Sequence, residues 1–64
     1  MKGIDIGETI KVIATLAHSY NDHCLDRIGE VVEIDNEAKN LTIGVQFAEF
    51  NWTYWFAPSQ LEVL

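Results

Sequence analysis

The sequence predicts a single all-β domain, residues 1–64, folded as a small five-stranded barrel. Three observations lead to this fold class. Apolar residues recur at every second position in several short segments, turn-forming residues separate those segments, and no segment has the period of an ordinary helix. Closure into a barrel suits so short a chain because it removes exposed sheet edges.

The first strand is predicted from Ile10 to Leu16, after an opening at Gly7-Glu8-Thr9. The period of two places one set of apolar side chains on the inner face: Ile10, Val12, Ala14 and Leu16. Residues Ala17–Asp26 lack any sustained period and predict a long polar loop, with Leu25 tucked into the barrel.

The second and third strands are predicted to form a hairpin. The second runs from Arg27 to Ile34 and contains Gly29, which indicates a sharp bend or a close backbone approach, as at a barrel corner. Residues Asp35–Asn40 supply the turn. The third strand, Leu41 to Phe47, alternates cleanly, and its inward residues are Leu41, Ile43, Val45 and Phe47.

A fourth strand is predicted from Asn51 to Phe56, followed by a break at Ala57–Gln60. Pro58 cannot donate to a strand ladder, so the break is expected to hold one turn of 3₁₀ helix before a short closing strand at Leu61 and Val63. The predicted core consists of Ile10, Val12, Val31, Ile43, Val45, Phe47, Phe56, Leu61 and Val63.

Five short strands, a long first loop and a 3₁₀ turn before the last strand describe an SH3-like barrel. The stretches 7–12, 28–31, 42–47 and 56–63 are similar to photosynthetic SH3-like accessory subunits. These include photosystem I reaction-centre subunit IV, the variable chain of ferredoxin–thioredoxin reductase and the ferredoxin-docking subunit of NDH-1. The layout also resembles, more weakly, KOW-type barrels and type II dihydrofolate reductase.

This resemblance implies a fold and an accessory role, with two departures. Subunits that dock acidic ferredoxin need basic residues, and this chain is acidic. The type II reductase uses a Val-Gln-Ile-Tyr stretch at its tetramer centre. Here Val45-Gln46-Phe47 falls in another strand and the later segment reads Tyr54-Trp55-Phe56, so no catalytic residue is carried over.

The charge balance disfavours nucleic acid as a partner. Ten acidic residues against four basic ones give a formal charge of −6, and Lys2, Lys11, Arg27 and Lys39 are scattered along the chain rather than clustered. Three roles are open for the acidic surface: it keeps the domain soluble, docks a basic partner or mimics a polyanion. One cysteine, no signal peptide at the N-terminus and no apolar run of about 18 residues predict a cytoplasmic protein without a membrane span.

No catalytic residue, metal site or cofactor is predicted. The loop residues His18, Asp22, His23, Cys24 and Asp26 are of metal-binding types, but their spacing matches no established zinc pattern, so we expect no stoichiometric metal. Adjacent side chains point apart on an extended chain, which argues against an activated His23–Cys24 pair. The carboxylates Glu30, Glu33 and Asp35 are predicted to lie on a solvated outer strand face.

The aromatic run is the strongest functional indication. Six of the seven aromatic residues lie between positions 47 and 56, and so narrow a barrel encloses only about two or three such rings. We therefore expect at least one of Trp52, Tyr54 and Trp55 to be substantially exposed. The predicted partner-binding residues are Phe50, Trp52, Tyr54 and Trp55.

These observations predict a non-enzymatic interaction module or accessory subunit, which forms a homo-oligomer or binds another protein through its aromatic surface. Two alternatives remain open. One is an enzyme whose site is assembled at an oligomer centre, as in type II dihydrofolate reductase. The other is a KOW-like nucleic-acid-binding module, which the acidic charge disfavours.

Overall fold

The computed structural model describes residues 4–16 and 18–64, and these form an all-β unit with five strands in one antiparallel sheet. The strands are β1 (Thr9–Val12), β2 (Ile28–Ile34), β3 (Ile43–Gln46), β4 (Thr53–Phe56) and β5 (Leu61–Val63). Their order across the sheet is β4-β3-β2-β1-β5. Among the described residues no ladder joins β4 to β5, so the sheet is open and the predicted closure is not confirmed.

Strand β2 is the longest and pairs with β1 through its first half and with β3 through most of its length. The pairing shifts by one residue between Val31 and Glu33, which makes Val32 the extra residue of a β-bulge. At Gly29 the neighbouring backbone comes very close, because a Cβ there would lie 2.7 Å from the Gln46 carbonyl oxygen. The close approach predicted at Gly29 is therefore confirmed.

The inner face of the sheet carries the core. Eight of the nine predicted core residues are buried, and Val63 is the exception at 38% exposed. Val63 lies on β5, a strand at the edge of the sheet that has only one neighbour. Tyr54 and Cys24 complete the buried apolar set.

Three residues predicted to face inward lie instead on the surface: Ala14, Leu16 and Leu41. The reason is the length of the strands. Strand β1 ends at Val12 and β3 begins at Ile43, so the period of two no longer sets side-chain direction at these three positions.

The first loop is more ordered than a polar connector. Asp22–Cys24 forms a single turn of 3₁₀ helix, and both Asn21 and Cys24 are buried. Leu25, which was expected to be tucked inside, is 44% exposed, and Cys24 takes that place because the 3₁₀ turn directs it inward. Ala17, where the predicted loop begins, lies outside the described residues.

The turn before the last strand is the predicted 3₁₀ helix, Pro58–Gln60. The backbone N–H of Ala57 donates to Gln60 Oε1 over 2.9 Å, which closes the turn. This element is therefore confirmed. In the part of the chain that is described, no helix has the length and apolar character that crossing a membrane requires.

Candidate functional site

The aromatic run divides into buried and exposed parts. Along β4 the alternation is regular: Tyr54 and Phe56 are buried on the inner face, while Thr53 and Trp55 are half-buried on the outer face. Trp52 lies one residue before the strand and is 70% exposed. The expectation that one of Trp52, Tyr54 and Trp55 is exposed is confirmed for Trp52.

Trp55 is partly covered by its own sheet. It lies opposite Gly44 across the β3–β4 ladder, and a Cβ at Gly44 would be 3.3 Å from Trp55 Cη2 and 3.1 Å from Thr53 Cγ2. The absence of a side chain at Gly44 thus leaves room for the indole to lie against the strand. Trp55 consequently presents only part of its ring to a partner.

Phe50 and Tyr54 belong to an internal ring cluster at one end of the core. Their centroids are 5.6 Å apart, and the His23 ring packs edge-on against both, at 4.9 and 5.1 Å. His23 and the Tyr54 hydroxyl lie 3.0 Å apart. The Arg27 guanidinium also contacts Phe50, 5.6 Å from the ring centroid, and lies 3.1 Å from the Glu49 carboxylate.

Tyr20, the aromatic residue outside the run, is the residue that sequence reasoning missed. Its ring stacks on Tyr54 with centroids 5.8 Å apart, and the backbone N–H of Trp55 donates to its hydroxyl over 2.8 Å. Tyr20 nevertheless remains 56% exposed. No local pattern marks it, because its neighbours in space lie more than thirty positions away in sequence.

Asn21 completes the attachment of the first loop to the sheet. Its Nδ2 donates to the Trp55 carbonyl oxygen over 2.9 Å, and its Oδ1 lies 2.8 Å from the Ser19 hydroxyl. Strand β4 is an edge strand, so the Trp55 backbone groups point away from the sheet. Tyr20 and Asn21 satisfy these groups and cover that part of the edge, which protects it from pairing with another strand.

Two depressions adjoin the first loop, and Tyr20 lines the second of them. The first, a groove of about 530 Å³, lies between the end of β1, the loop before β3 and the Pro58–Gln60 turn, and its residues are Ala14, Thr15, Leu16, Asn40, Leu41, Ala57, Ser59 and Gln60. The second, a pocket of about 300 Å³, is lined by Tyr20, Trp52, Thr53 and Tyr54. We call them the leucine groove and the aromatic pocket.

Tyr20 connects the two. A smaller depression of about 80 Å³ between them is lined by residues of both the first loop and the leucine groove, including Leu16, Tyr20 and Leu41. Leu16 is 74% exposed and Leu41 is 42% exposed. Together with Tyr20 and Trp52 they form one exposed apolar surface of the kind that marks interaction sites.

This surface carries no formal charge. Of the residues that the structure describes, none that lines the leucine groove or the aromatic pocket is Asp, Glu, Lys or Arg. Its polar groups are amides and hydroxyls at the rim, such as Asn40, Ser59 and Gln60. Such groups can hydrogen-bond a bound peptide backbone, while the leucine and aromatic side chains contact apolar groups.

A further cleft of about 440 Å³ lies elsewhere, between Thr9, the start of β2 and residues 46–48. It is larger than the aromatic pocket, but its one aromatic residue, Phe47, is buried. It offers a partner no exposed ring, so it is the weaker candidate for protein recognition.

The residues considered for catalysis are not arranged for it. Burial raises the pKa of the Cys24 thiol, and nearby Arg27 only partly offsets this, so the protonated form is favoured over the reactive thiolate. His23 packs on Tyr54 and Phe50 instead. Glu30, Glu33 and Asp35 are all exposed, as predicted for a solvated face. In residues 4–16 and 18–64 no three His, Cys, Asp or Glu side chains group as a metal site would require.

No protein-family model matches the chain, and no curated protein matches it either. The geometry of the exposed apolar surface therefore carries the functional argument.

Proposed function

We propose that this chain is a non-enzymatic, SH3-like interaction module or accessory subunit that holds a protein partner on the surface formed by the leucine groove and the aromatic pocket. The sheet order, the long first loop and the 3₁₀ turn before β5 support the SH3-like assignment. The leucine groove lies between that turn and Leu16, which precedes the first loop.

One observation carries the proposal: Tyr20 lines both the aromatic pocket and the small depression that shares Leu16 and Leu41 with the leucine groove, and its hydroxyl is held by the backbone N–H of Trp55. An exposed aromatic ring whose position is already fixed loses little conformational entropy when a partner covers it. Tyrosine and tryptophan are also the residues most often found at the energetic centre of interfaces. Tyr20 satisfies both conditions, and Trp52, which is 70% exposed in the same pocket, satisfies the second.

A peptide selection tests the proposal. An unbiased library of displayed dodecapeptides is selected on the immobilised protein, and each enriched peptide is then tested against three variants. We expect Trp52→Ala and Leu16→Ser to lose binding, because each removes one part of the surface. Leu25→Ala is the matched control, since Leu25 is exposed but lines neither depression. Peptides that bind all three variants as well as the native chain would contradict the proposal.

Self-association is one of the two forms of this function that the sequence predicts, and light scattering tests it directly. Molar mass is measured across a wide concentration range for the native chain and for Trp52→Ala. A dimer that dissociates in the variant supports a second copy as the partner. A native chain that remains monomeric supports a different protein.

A further inference from the structure

We infer that the partner is a basic protein segment, which places a Lys or Arg side chain in the aromatic pocket and an apolar side chain in the leucine groove. This rests on the proposed function and specifies the chemistry of its partner. Two independent properties of the surface lead to it: the charge of the domain and the nature of the pocket walls.

The charge of the domain favours a cationic partner. All ten acidic residues lie in the described part of the chain, against three of the four basic ones. Of these three, Arg27 is already engaged by Glu49 and Phe50, and none lines the groove or the pocket. An uncharged surface on a domain of charge −6 lies in a negative potential, which attracts cations and repels anions.

The walls of the pocket are suited to a cation. Tyr20 and Trp52 supply its exposed rings, with the buried Tyr54 beneath Tyr20, and aromatic faces attract an ammonium or guanidinium group through their quadrupoles. The same contact occurs within the chain, where the Arg27 guanidinium lies 5.6 Å over Phe50. A carboxylate in this pocket would meet both the negative ring faces and the negative field.

A second copy of the chain matches these requirements poorly. Each copy carries only four Lys and Arg residues and a charge of −6, so two copies repel each other. Strand addition at β4 is also hindered, because Tyr20 and Asn21 already bind the outward-facing backbone groups of Trp55. A separate basic segment avoids both difficulties.

The test uses three labelled octapeptide libraries that share a background of apolar and neutral residues. They differ at one fixed position, which holds arginine, its uncharged analogue citrulline, or glutamate. Binding is measured by fluorescence anisotropy at two salt concentrations. We expect arginine to bind about three- to thirty-fold more tightly than citrulline, with glutamate weakest. Raising the salt from about 0.05 to about 0.5 M is expected to reduce the preference for arginine over citrulline, because screening weakens the attraction.

Substitutions at Trp52 separate the aromatic contribution from simple burial. Trp52→Phe keeps an aromatic face, whereas Trp52→Leu keeps only apolar area. We expect Trp52→Phe to retain most of the arginine preference. Trp52→Leu should leave only the preference that the negative potential of the domain produces. Trp52 is exposed, so neither variant is expected to impair folding.

The possible failures are distinguishable. If no library binds, or if binding is unchanged by Leu16→Ser and Trp52→Ala, both the proposed function and this inference are wrong. If peptides bind through these residues but arginine and citrulline bind equally, the inference alone is wrong. A native dimer that Trp52→Ala dissociates would also overturn the inference, because a second copy would then be the occupant.

Discussion

Trp52 and Phe56 belong to the same short aromatic run and have the same parity along the chain, yet they have opposite environments. Phe56 is fully buried and Trp52 is 70% exposed. Phe56 lies within the hydrogen-bonded ladder of β4, where the backbone directs it into the core. Trp52 lies one residue before that ladder. Alternation therefore determines side-chain direction only as far as the strand extends.

The same contrast accounts for the leucine groove. Leu16 follows β1 and Leu41 precedes β3, and both are in phase with buried residues of those strands, Val12 and Ile43. Like Trp52, they leave the inner face where the ladders end. The exposed apolar surface thus consists largely of residues that continue the core pattern beyond the strands that would have buried them.

The largest expected effect on stability is the difference between truncating the buried Phe56 and truncating the exposed Trp52. We expect Phe56→Ala to reduce the free energy of unfolding by about 3–5 kcal/mol, because it leaves a cavity in the core. Trp52→Ala should change it by less than about 0.5 kcal/mol. Urea denaturation of both variants measures the difference. Similar losses for the two would show that Trp52 is packed and that the contrast between them is incorrect.

Gly29 and Gly44 allow the inner and outer faces of the sheet to be compared in the same way. Gly29→Ala places a Cβ within 2.7 Å of the Gln46 carbonyl oxygen and Val45 Cγ1, so the backbone must move, and we expect a loss of about 1–3 kcal/mol. Gly44→Ala meets only side-chain atoms, at 3.1 Å and beyond, and should cost less than about 1 kcal/mol. Thermal unfolding compares them. A larger loss of stability for Gly44→Ala than for Gly29→Ala would mean that the side chains around Gly44, including Trp55, cannot move to accept a Cβ.

The attachment of the first loop is tested by Asn21→Ala. This removes a partly buried hydrogen bond to the Trp55 carbonyl oxygen, and we expect a loss of about 1–3 kcal/mol. Tyr20→Phe removes only a hydroxyl near the surface and should cost about 0.5–1.5 kcal/mol. Hydrogen exchange at the Trp55 amide reports the local effect of each change. Unchanged protection in both variants would show that the loop does not hold the β4 edge.

The smallest effect concerns Cys24 and pH. Burial raises the pKa of this thiol in the folded state, so the folded chain retains a proton that the unfolded chain releases. The resulting stability is present below the unfolded pKa, about 8.5, and is lost as the pH rises above it. We expect the native chain to lose more stability than Cys24→Ala over that alkaline range. Equal losses, measured by urea denaturation, would indicate that the thiol is not buried.

In an exposed polar loop Cys24→Ser would be nearly neutral, but a fully buried Cys24 places the new hydroxyl in the core. We expect a loss of about 1–3 kcal/mol. His18→Ala remains a near-neutral change, since His18 is exposed.

Much of the fold could be predicted from local signals. The five strands follow from alternation, Gly29 from its position inside a strand, and the Pro58–Gln60 turn from proline chemistry. The predicted strands extend too far at Leu16, Leu41 and Trp52. The apolar pattern continues past the residues that pair with a neighbouring strand, so it does not show where the strand ends. Alternation alone therefore predicts an inward direction for Leu16 and Leu41, which line the leucine groove instead.

The sequence by itself determined the all-β class, the five strands along the chain and most of the core, because each depends on neighbouring residues and on a backbone period of two. The tertiary structure alone decided where that period ends, and which apolar residues it leaves exposed. It also brought Tyr20 from the first loop to Trp52 and Tyr54, more than thirty positions away in sequence. Contacts between residues so far apart in sequence depend on how the whole chain folds, so no local sequence pattern predicts them.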